Sequence, residues 1–132
     1  SNAFNKYTTL ISSAKQLTII SPIYSENHFN SFINLLTSNH LNHLRIILNS
    51  KILKSMRGSR YIKKSILEHE KVEIIETEET LKLFLTYSDD FMTLTLFFKD
   101  GHYDDSQIII GENKDAIKWA KELFNYYNKE RE

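Results

Sequence analysis

Two short apolar runs, flanked by segments with helical periodicity, constrain the fold of this chain more than any other feature. Residues 17–20 are rich in β-branched side chains and end at Ser21-Pro22, and residues 44–48 are almost continuously apolar. Such runs are typical of strands buried on both faces of a parallel sheet. Apolar residues recur at helical spacing over 7–14 and 29–36, which predicts a helix on either side of the first strand. The pattern indicates βα units joined by right-handed crossovers.

The second half of the chain changes from alternating helices and strands to consecutive strands. Further strands are predicted for residues 72–76, 83–87, 92–98 and 107–110, and further helices for residues 52–56, 59–69 and 113–129. Because only a polar turn over 88–91 separates two of these strands, they should pair antiparallel. The predicted fold class is therefore α/β: parallel βα units followed by an antiparallel meander, in one mixed sheet flanked by helices.

Composition limits the functions open to this chain. It has 132 residues, of which 17 are basic, 17 are acidic and none is cysteine. A domain with no net charge lacks the positive surface that binds the phosphate backbone of nucleic acids, which makes it a poor DNA-binding module by itself. The absence of cysteine excludes disulfides and thiolate chemistry. No apolar run approaches the roughly 20 residues needed to cross a bilayer, which favours a cytoplasmic location.

The chain length suits one domain. Ser1-Asn2-Ala3 looks like the remnant of a cleaved tag, so a single domain is expected over residues 4–132. In that case the natural protein can continue before Phe4.

The last third of the chain resembles a known family. A D-G-x-Y-D turn over 100–104 precedes a closing helix with the pattern A-I-x-W-x-x-x-L-F-x-Y-Y over 116–127. Both features resemble the C-terminal end of the archaeal winged-helix regulators typified by the methanogenesis regulatory protein of methanogens. The resemblance implies an effector-sensing domain that binds a small molecule and needs no cofactor. It also implies a homodimer, and contact with DNA only through a winged helix placed upstream.

The order of elements also resembles half of a phospholipase D-type domain. Enzymes of that class place H-x-K-x4-D on adjacent strands, where the histidine attacks phosphorus. Counting back from Asp100 puts Thr93 in the histidine position and Thr95 in the lysine position, which leaves no nucleophile with a base and no cation. A second alignment uses His69 and Lys71, although these lie between a helix and a strand. A phosphodiesterase assembled across a dimer from His69 and Lys71 is therefore the alternative to a non-catalytic sensor.

Candidate ligand residues follow the first two strands. Ser21, Tyr24 and Ser25 come after the first strand and Asn49 after the second. Ligands of open sheets tend to bind beyond the carboxyl ends of parallel strands, near helix N-termini, so these groups can hold a polar or anionic effector. A plain capped loop is the alternative interpretation at these positions.

Two further groups of candidates come from the C-terminal third. Asp100, Tyr103 and Asp104 lie in the acidic turn, where Tyr103 matches the tyrosine of the resembled family, while tight-turn chemistry is the competing explanation. Trp119 and Tyr126 flank the apolar stripe of the last helix, and aromatic residues are enriched at interfaces, so they are expected to meet a partner subunit. The five histidines show no metal-binding spacing, and no metal site is predicted.

Overall fold

The structure is a computed structural model that describes residues 2–96 and 107–129. Its elements follow the predicted order. Along the chain they are α1 (Asn2–Ser12), β1 (Gln16–Ser21), α2 (Glu26–Thr37), β2 (His43–Asn49), α3 (Ser50–Arg57), α4 (Arg60–Ile62), β3 (Val72–Thr77), β4 (Leu83–Tyr87), β5 (Met92–Leu96), β6 (Ile109–Gly111) and α5 (Lys114–Lys129).

The strands form one mixed sheet in the order β3-β2-β1-β4-β5-β6. The first three strands are parallel, and β4, β5 and β6 pair antiparallel with their neighbours. This confirms the predicted mixed sheet. Because β5 runs in the same direction as β1, both end at the edge of the sheet where Ser21 and Asn49 lie, which we call the carboxyl edge. The opposite edge, where Gln16 and His43 begin their strands and Tyr87 ends β4, is the amino edge.

Alternate residues of each central strand pack into two separate hydrophobic cores. Ile19 and Ile46 face α1 to α4, where they join Phe32 and other fully buried side chains. Ile20 and Ile47 face the other side, which α5 covers with Phe124. We call these the four-helix face and the α5 face. Burial on both faces is what the continuous apolar runs predicted, since packed side chains cover both sides of these strands over most of their length.

Side chains cap most of the helices. The Ser25, Asn49 and Ser59 side chains accept hydrogen bonds from backbone N–H groups in the first turns of α2, α3 and α4. Asn113 Oδ1 accepts from the N–H of Ala116 at 2.8 Å and so caps the last helix. Such caps supply partners to N–H groups that the helix itself leaves unbonded.

Several boundaries differ from the prediction. The helix predicted over 59–69 is a short α4 that continues into a π-helical turn, Lys63–Leu67. The strand predicted over 107–110 is β6, which begins two residues later and ends one residue later than predicted. The described part of the strand predicted over 92–98 is β5. None of the helices formed by the described residues is long and apolar enough to cross a membrane.

Gly111 allows β6 and α5 to approach each other closely. A Cβ atom at this position would lie 2.5 Å from Cβ of Ala116 and 3.2 Å from Sδ of Met92. Any side chain at this position would therefore push α5 away from β6. This contact explains why glycine and alanine stand five residues apart at the start of the closing helix.

Candidate functional site

A cavity of about 290 Å³ opens at the carboxyl edge on the four-helix face. It lies between α1, the start of α2 and the end of β5, and its rim continues to the residues before β6. It is lined by Ala3, Phe4, Tyr7, Ile23, Ser25, Asn27, His28, Thr95, Gln107 and Ile108. The cavity therefore lies where open sheets tend to bind ligands, beyond the ends of strands that run in one direction.

His28 brings an imidazole ring into the cavity wall. Its Nδ1 atom lies 2.7 Å from the hydroxyl oxygen of Ser25. Its ring packs between those of Tyr7 and Phe84, with centroid distances of 4.8 and 4.4 Å, and meets Phe4 edge-on at 5.3 Å. Because these contacts hold the imidazole in place, it presents fixed hydrogen-bonding groups rather than a mobile side chain.

One buried hydrogen bond fixes the α1 side of the cavity. The hydroxyl groups of Tyr7 and Thr86 lie 2.8 Å apart and join α1 to β4. Tyr7 is 2% exposed and Thr86 is completely buried, so the bond forms away from bulk water. The position of α1, and with it the shape of the cavity, depends on this contact.

The lining residues indicate the chemistry of a fitting ligand. Aromatic rings and aliphatic groups form the walls, while Ser25, Thr95 and Gln107 add neutral polar groups. The described lining contains no aspartate, glutamate, lysine or arginine. A mostly apolar pocket with a few polar groups is the usual form of a small-molecule site, although this one is at the small end of the common range of about 300–1,000 Å³. A small, uncharged and partly apolar molecule matches these walls.

Ser25 is the predicted ligand residue that lies in the cavity. Ser21 is completely buried beside it and donates its hydroxyl hydrogen to the carbonyl of Ile23 at 2.7 Å. Its hydroxyl therefore stabilises the loop that forms the cavity rim.

Tyr24 does not belong to the described cavity lining. Its ring packs on Phe29 at 5.2 Å between centroids, and 37% of the residue is exposed. Burial raises the pKa of its hydroxyl above the usual value of 10.0, and the nearby Glu26 and Tyr61 add to this effect. The phenol therefore stays protonated at neutral pH and acts only as a neutral hydrogen-bonding group.

The other predicted residues are placed as follows. Asn49 accepts from the N–H of Lys51 at 2.8 Å and donates to the carbonyl of Glu79 at 2.7 Å, so it joins a helix cap to a loop. Asp100, Tyr103 and Asp104 lie outside the described residues. On α5, Trp119 is 45% exposed and Tyr126 is 60% exposed, which leaves both accessible to another molecule.

His69 and Lys71, the pair of the phosphodiesterase alternative, are engaged in separate local contacts. Nδ1 of His69 accepts from the backbone N–H of Lys71 at 3.1 Å, while the Lys71 ammonium group binds Oδ1 of Asn39. Both residues precede β3 at the amino edge, away from the cavity. Among the described residues, no group of three or more His, Asp or Glu side chains is placed to hold a metal ion.

Sequence reasoning missed most of the cavity wall. The sequence pattern places Tyr7 in a predicted helix, and His28 is one of five histidines without metal-binding spacing. A usable signal was the spacing of Ser25 and His28, because an N-cap side chain reaches the residue three positions later. Thr95 was found only through its match to the lysine position of the phospholipase D pattern.

Fold and sequence comparisons assign the chain to a class and a family. The fold matches the solved structure of TrmBL2, an archaeal chromatin protein reported to show a novel mode of DNA binding, with a TM-score of 0.68 at 16% identity. The match covers 98% of this chain and 49% of that one, so this chain spans about half the length of TrmBL2. At this identity the match shows a shared fold. No curated protein sequence matches the chain.

The family profile gives the more specific result. Residues 1–130 match the middle domain of the methanogenesis regulatory protein FilR1, and the chain belongs to this family. This confirms the resemblance to archaeal regulators that the closing helix indicated. The chain is thus a domain related to transcription regulators.

Proposed function

We propose that this chain is a non-catalytic, ligand-sensing and dimerisation domain of an archaeal transcription regulator. The observation that carries the proposal is a cavity with aromatic and neutral polar walls in a member of the FilR1 middle-domain family. A regulator needs a site whose occupation changes its state, and this cavity has the form of such a site.

The position of the cavity suggests how a ligand acts. Phe4 and Tyr7 bring α1 into the cavity wall, and α1 is the first element of the chain. In the proposed regulator, a winged-helix domain precedes α1 and makes the contacts with DNA. A ligand that binds more tightly to one position of α1 shifts the population of that state, and the DNA-reading domains change their fit to an operator.

The absence of catalysis is also part of the proposal. Thr93 and Thr95 hold the positions that the phospholipase D pattern gives to histidine and lysine, and Thr95 lines the cavity. A threonine hydroxyl without a base is a weak nucleophile and cannot hold phosphoryl oxygens by charge. Purified protein should therefore leave bis(p-nitrophenyl) phosphate intact. Turnover that disappears in His69→Ala would instead establish the phosphodiesterase alternative.

A thermal-shift screen of neutral metabolites tests the sensing role. A molecule that binds only the folded state raises the free energy of unfolding, by about 2.7 kcal/mol at a concentration 100 times its Kd. The variant Asn27→Trp places a large ring at the cavity rim, where the exposed Asn27 lies at the start of α2. Molecules that stabilise the native protein should lose their effect in this variant.

Asn30→Trp is the matched control, because Asn30 is exposed on the same helix but is not part of the cavity lining. It should retain the stabilisation seen with the native protein. Equal responses of both variants would show that the molecules bind elsewhere and would contradict the proposed site.

A further inference from the structure

Arg45 occupies an unusual place on the α5 face of the sheet. It belongs to a row of residues that lie side by side on neighbouring strands: Glu73 on β3, Arg45 on β2, Thr18 on β1 and Tyr87 on β4. All four line one cleft of about 480 Å³ at the amino edge. The cleft is open to solvent and lies on the other face of the sheet from the cavity near His28.

Contacts with neutral groups fix the guanidinium group of Arg45. Nε and Nη2 donate to the hydroxyl oxygen of Thr18 at 3.3 and 3.0 Å, and Nη2 also donates to the hydroxyl of Tyr87 at 3.3 Å. The guanidinium carbon lies 4.5 Å from the centre of the Phe124 ring. Hydrogen bonds from one side and a cation–π contact from α5 thus hold the planar group in one orientation.

Arg45 forms no ion pair with a carboxylate of the described residues. Glu73 is its direct neighbour across β2 and β3, yet the ion pairs between described side chains are those of Lys63 and Lys64 with Glu68. The other acidic group of the cleft, Asp89, accepts a hydrogen bond from Gln16 at 2.8 Å. A half-buried cation that is held rigidly without a carboxylate partner has unused capacity for an anion.

We propose that this cleft binds a small anion bearing a carboxylate or phosphate group, with Arg45 as the main contact. Lys121 of α5 lines the same cleft and brings a second positive charge. The planar fork of the guanidinium group suits the paired oxygens of either anion. Glu73 repels the anion and therefore directs it toward the Arg45 and Lys121 side of the cleft.

An NMR titration of the ¹⁵N-labelled protein tests this site. The probes are sodium succinate and sodium phosphate, and sodium chloride at equal ionic strength is the control. We expect a saturable shift of the Arg45 Nε–H signal with at least one probe and none with chloride. A shift with succinate alone assigns a carboxylate ligand, and a shift with phosphate alone assigns a phosphate ligand. Chloride shifts equal to those of both probes would overturn the proposal.

Three variants separate binding from a structural role of Arg45. Arg45→Lys keeps the charge but loses the fork, so affinity should fall about tenfold. Lys121→Ala should weaken binding by about threefold, and Glu73→Gln should strengthen it by a similar factor, because each removes one exposed charge near the anion. A purely structural arginine would give no gain of affinity in Glu73→Gln, and that result would contradict the proposal.

Two controls define the limits of the site. Lys118→Ala removes an exposed charge on α5 outside the cleft lining and should leave the affinity unchanged. Asn27→Trp, which closes the cavity on the four-helix face, should also leave anion binding intact. Because the two sites lie on different faces, failure of one proposal does not affect the test of the other.

Discussion

On the four-helix face, the sheet buries a mostly apolar surface with Thr86, Thr93 and Thr95 among its buried polar residues, and the cavity near His28 is a gap between α1, α2 and β5. On the α5 face, α5 is the helix of the described residues that covers the sheet, and the polar row of Arg45, Thr18 and Tyr87 lies beside the apolar core. The first face excludes water with four helices but leaves the partly open cavity near His28. The second leaves polar groups next to solvent because one helix cannot cover six strands.

A matched pair of phenylalanines tests this comparison with the largest expected effect. Phe32 is completely buried among the helices, and Phe124 is 1% exposed beside the Arg45 cleft. We expect Phe32→Ala to lower the free energy of unfolding by about 4–5 kcal/mol and Phe124→Ala by about 3 kcal/mol, because the space near the cleft can be filled by water and by relaxation.

Urea denaturation followed by circular dichroism measures both values. Equal losses of unfolding free energy would indicate that side chains pack as tightly under α5 as under the four helices. The contrast between the two faces would then be wrong.

A second pair of variants tests the contact between α5 and β6. Gly111→Ala should destabilise the protein by about 1–3 kcal/mol, since its methyl group would lie 2.5 Å from Cβ of Ala116. Gly58→Ala is the control, because Gly58 has a φ of −71° that alanine readily adopts and its new methyl would meet only Ser55 O at 3.2 Å. A change within about 1 kcal/mol is expected there. Equal melting temperatures of the two variants would contradict the close approach.

The same glycine shows how far the sequence could predict this molecule. The strands over residues 17–20 and 44–48 were recognised because their continuous apolar character depends only on local sequence. The closing helix was recognised from the periodicity of its apolar residues. The need for glycine at position 111 could not be predicted from the local sequence, because it depends on how closely α5 packs against β6.

The two sites were harder to predict than the fold for the same reason. The cavity joins Tyr7, His28 and Thr95 from three distant segments, and the Arg45 row exists only through the pairing of four strands. Ser25 was predicted because the rule for strand ends needs only the order of elements. Ser21 and Asn49 satisfied the same rule, yet their polar atoms stabilise loops and a cap. Polar groups at a strand end therefore predict a region more reliably than individual contacts.

A pair of tyrosines gives a smaller and more local test. The Tyr7 hydroxyl forms a hydrogen bond with Thr86 on the four-helix face. Tyr87, which follows Thr86 in β4, accepts a hydrogen bond from Arg45 on the α5 face. Tyr7→Phe should cost about 1–3 kcal/mol, because the buried hydroxyl of Thr86 loses this partner away from water. Tyr87→Phe should cost less than about 1 kcal/mol, since Arg45 keeps Thr18 and can bind water in the open cleft.

Thermal unfolding at several pH values near neutrality measures both tyrosine variants with the native protein as reference. A larger loss in Tyr87→Phe than in Tyr7→Phe would show that the Arg45 row, rather than the buried bond of α1, holds β4 in place.

The smallest effect on stability is expected at the exposed aromatic residues of α5. Tyr126→Ser should change the free energy of unfolding by no more than about 0.5 kcal/mol and Trp119→Ser by no more than about 1 kcal/mol, because 60% of Tyr126 and 45% of Trp119 are exposed in the single chain. If α5 is the dimer surface, both variants should nevertheless weaken self-association in sedimentation velocity experiments, since buried aromatic residues contribute strongly to interfaces. Tyr61→Ser, at the 61% exposed Tyr61 on the four-helix face, is the control and should leave association unchanged. Loss of association in the control alone would move the interface to the opposite face, where a partner would lie against α4 instead of beside the Arg45 cleft.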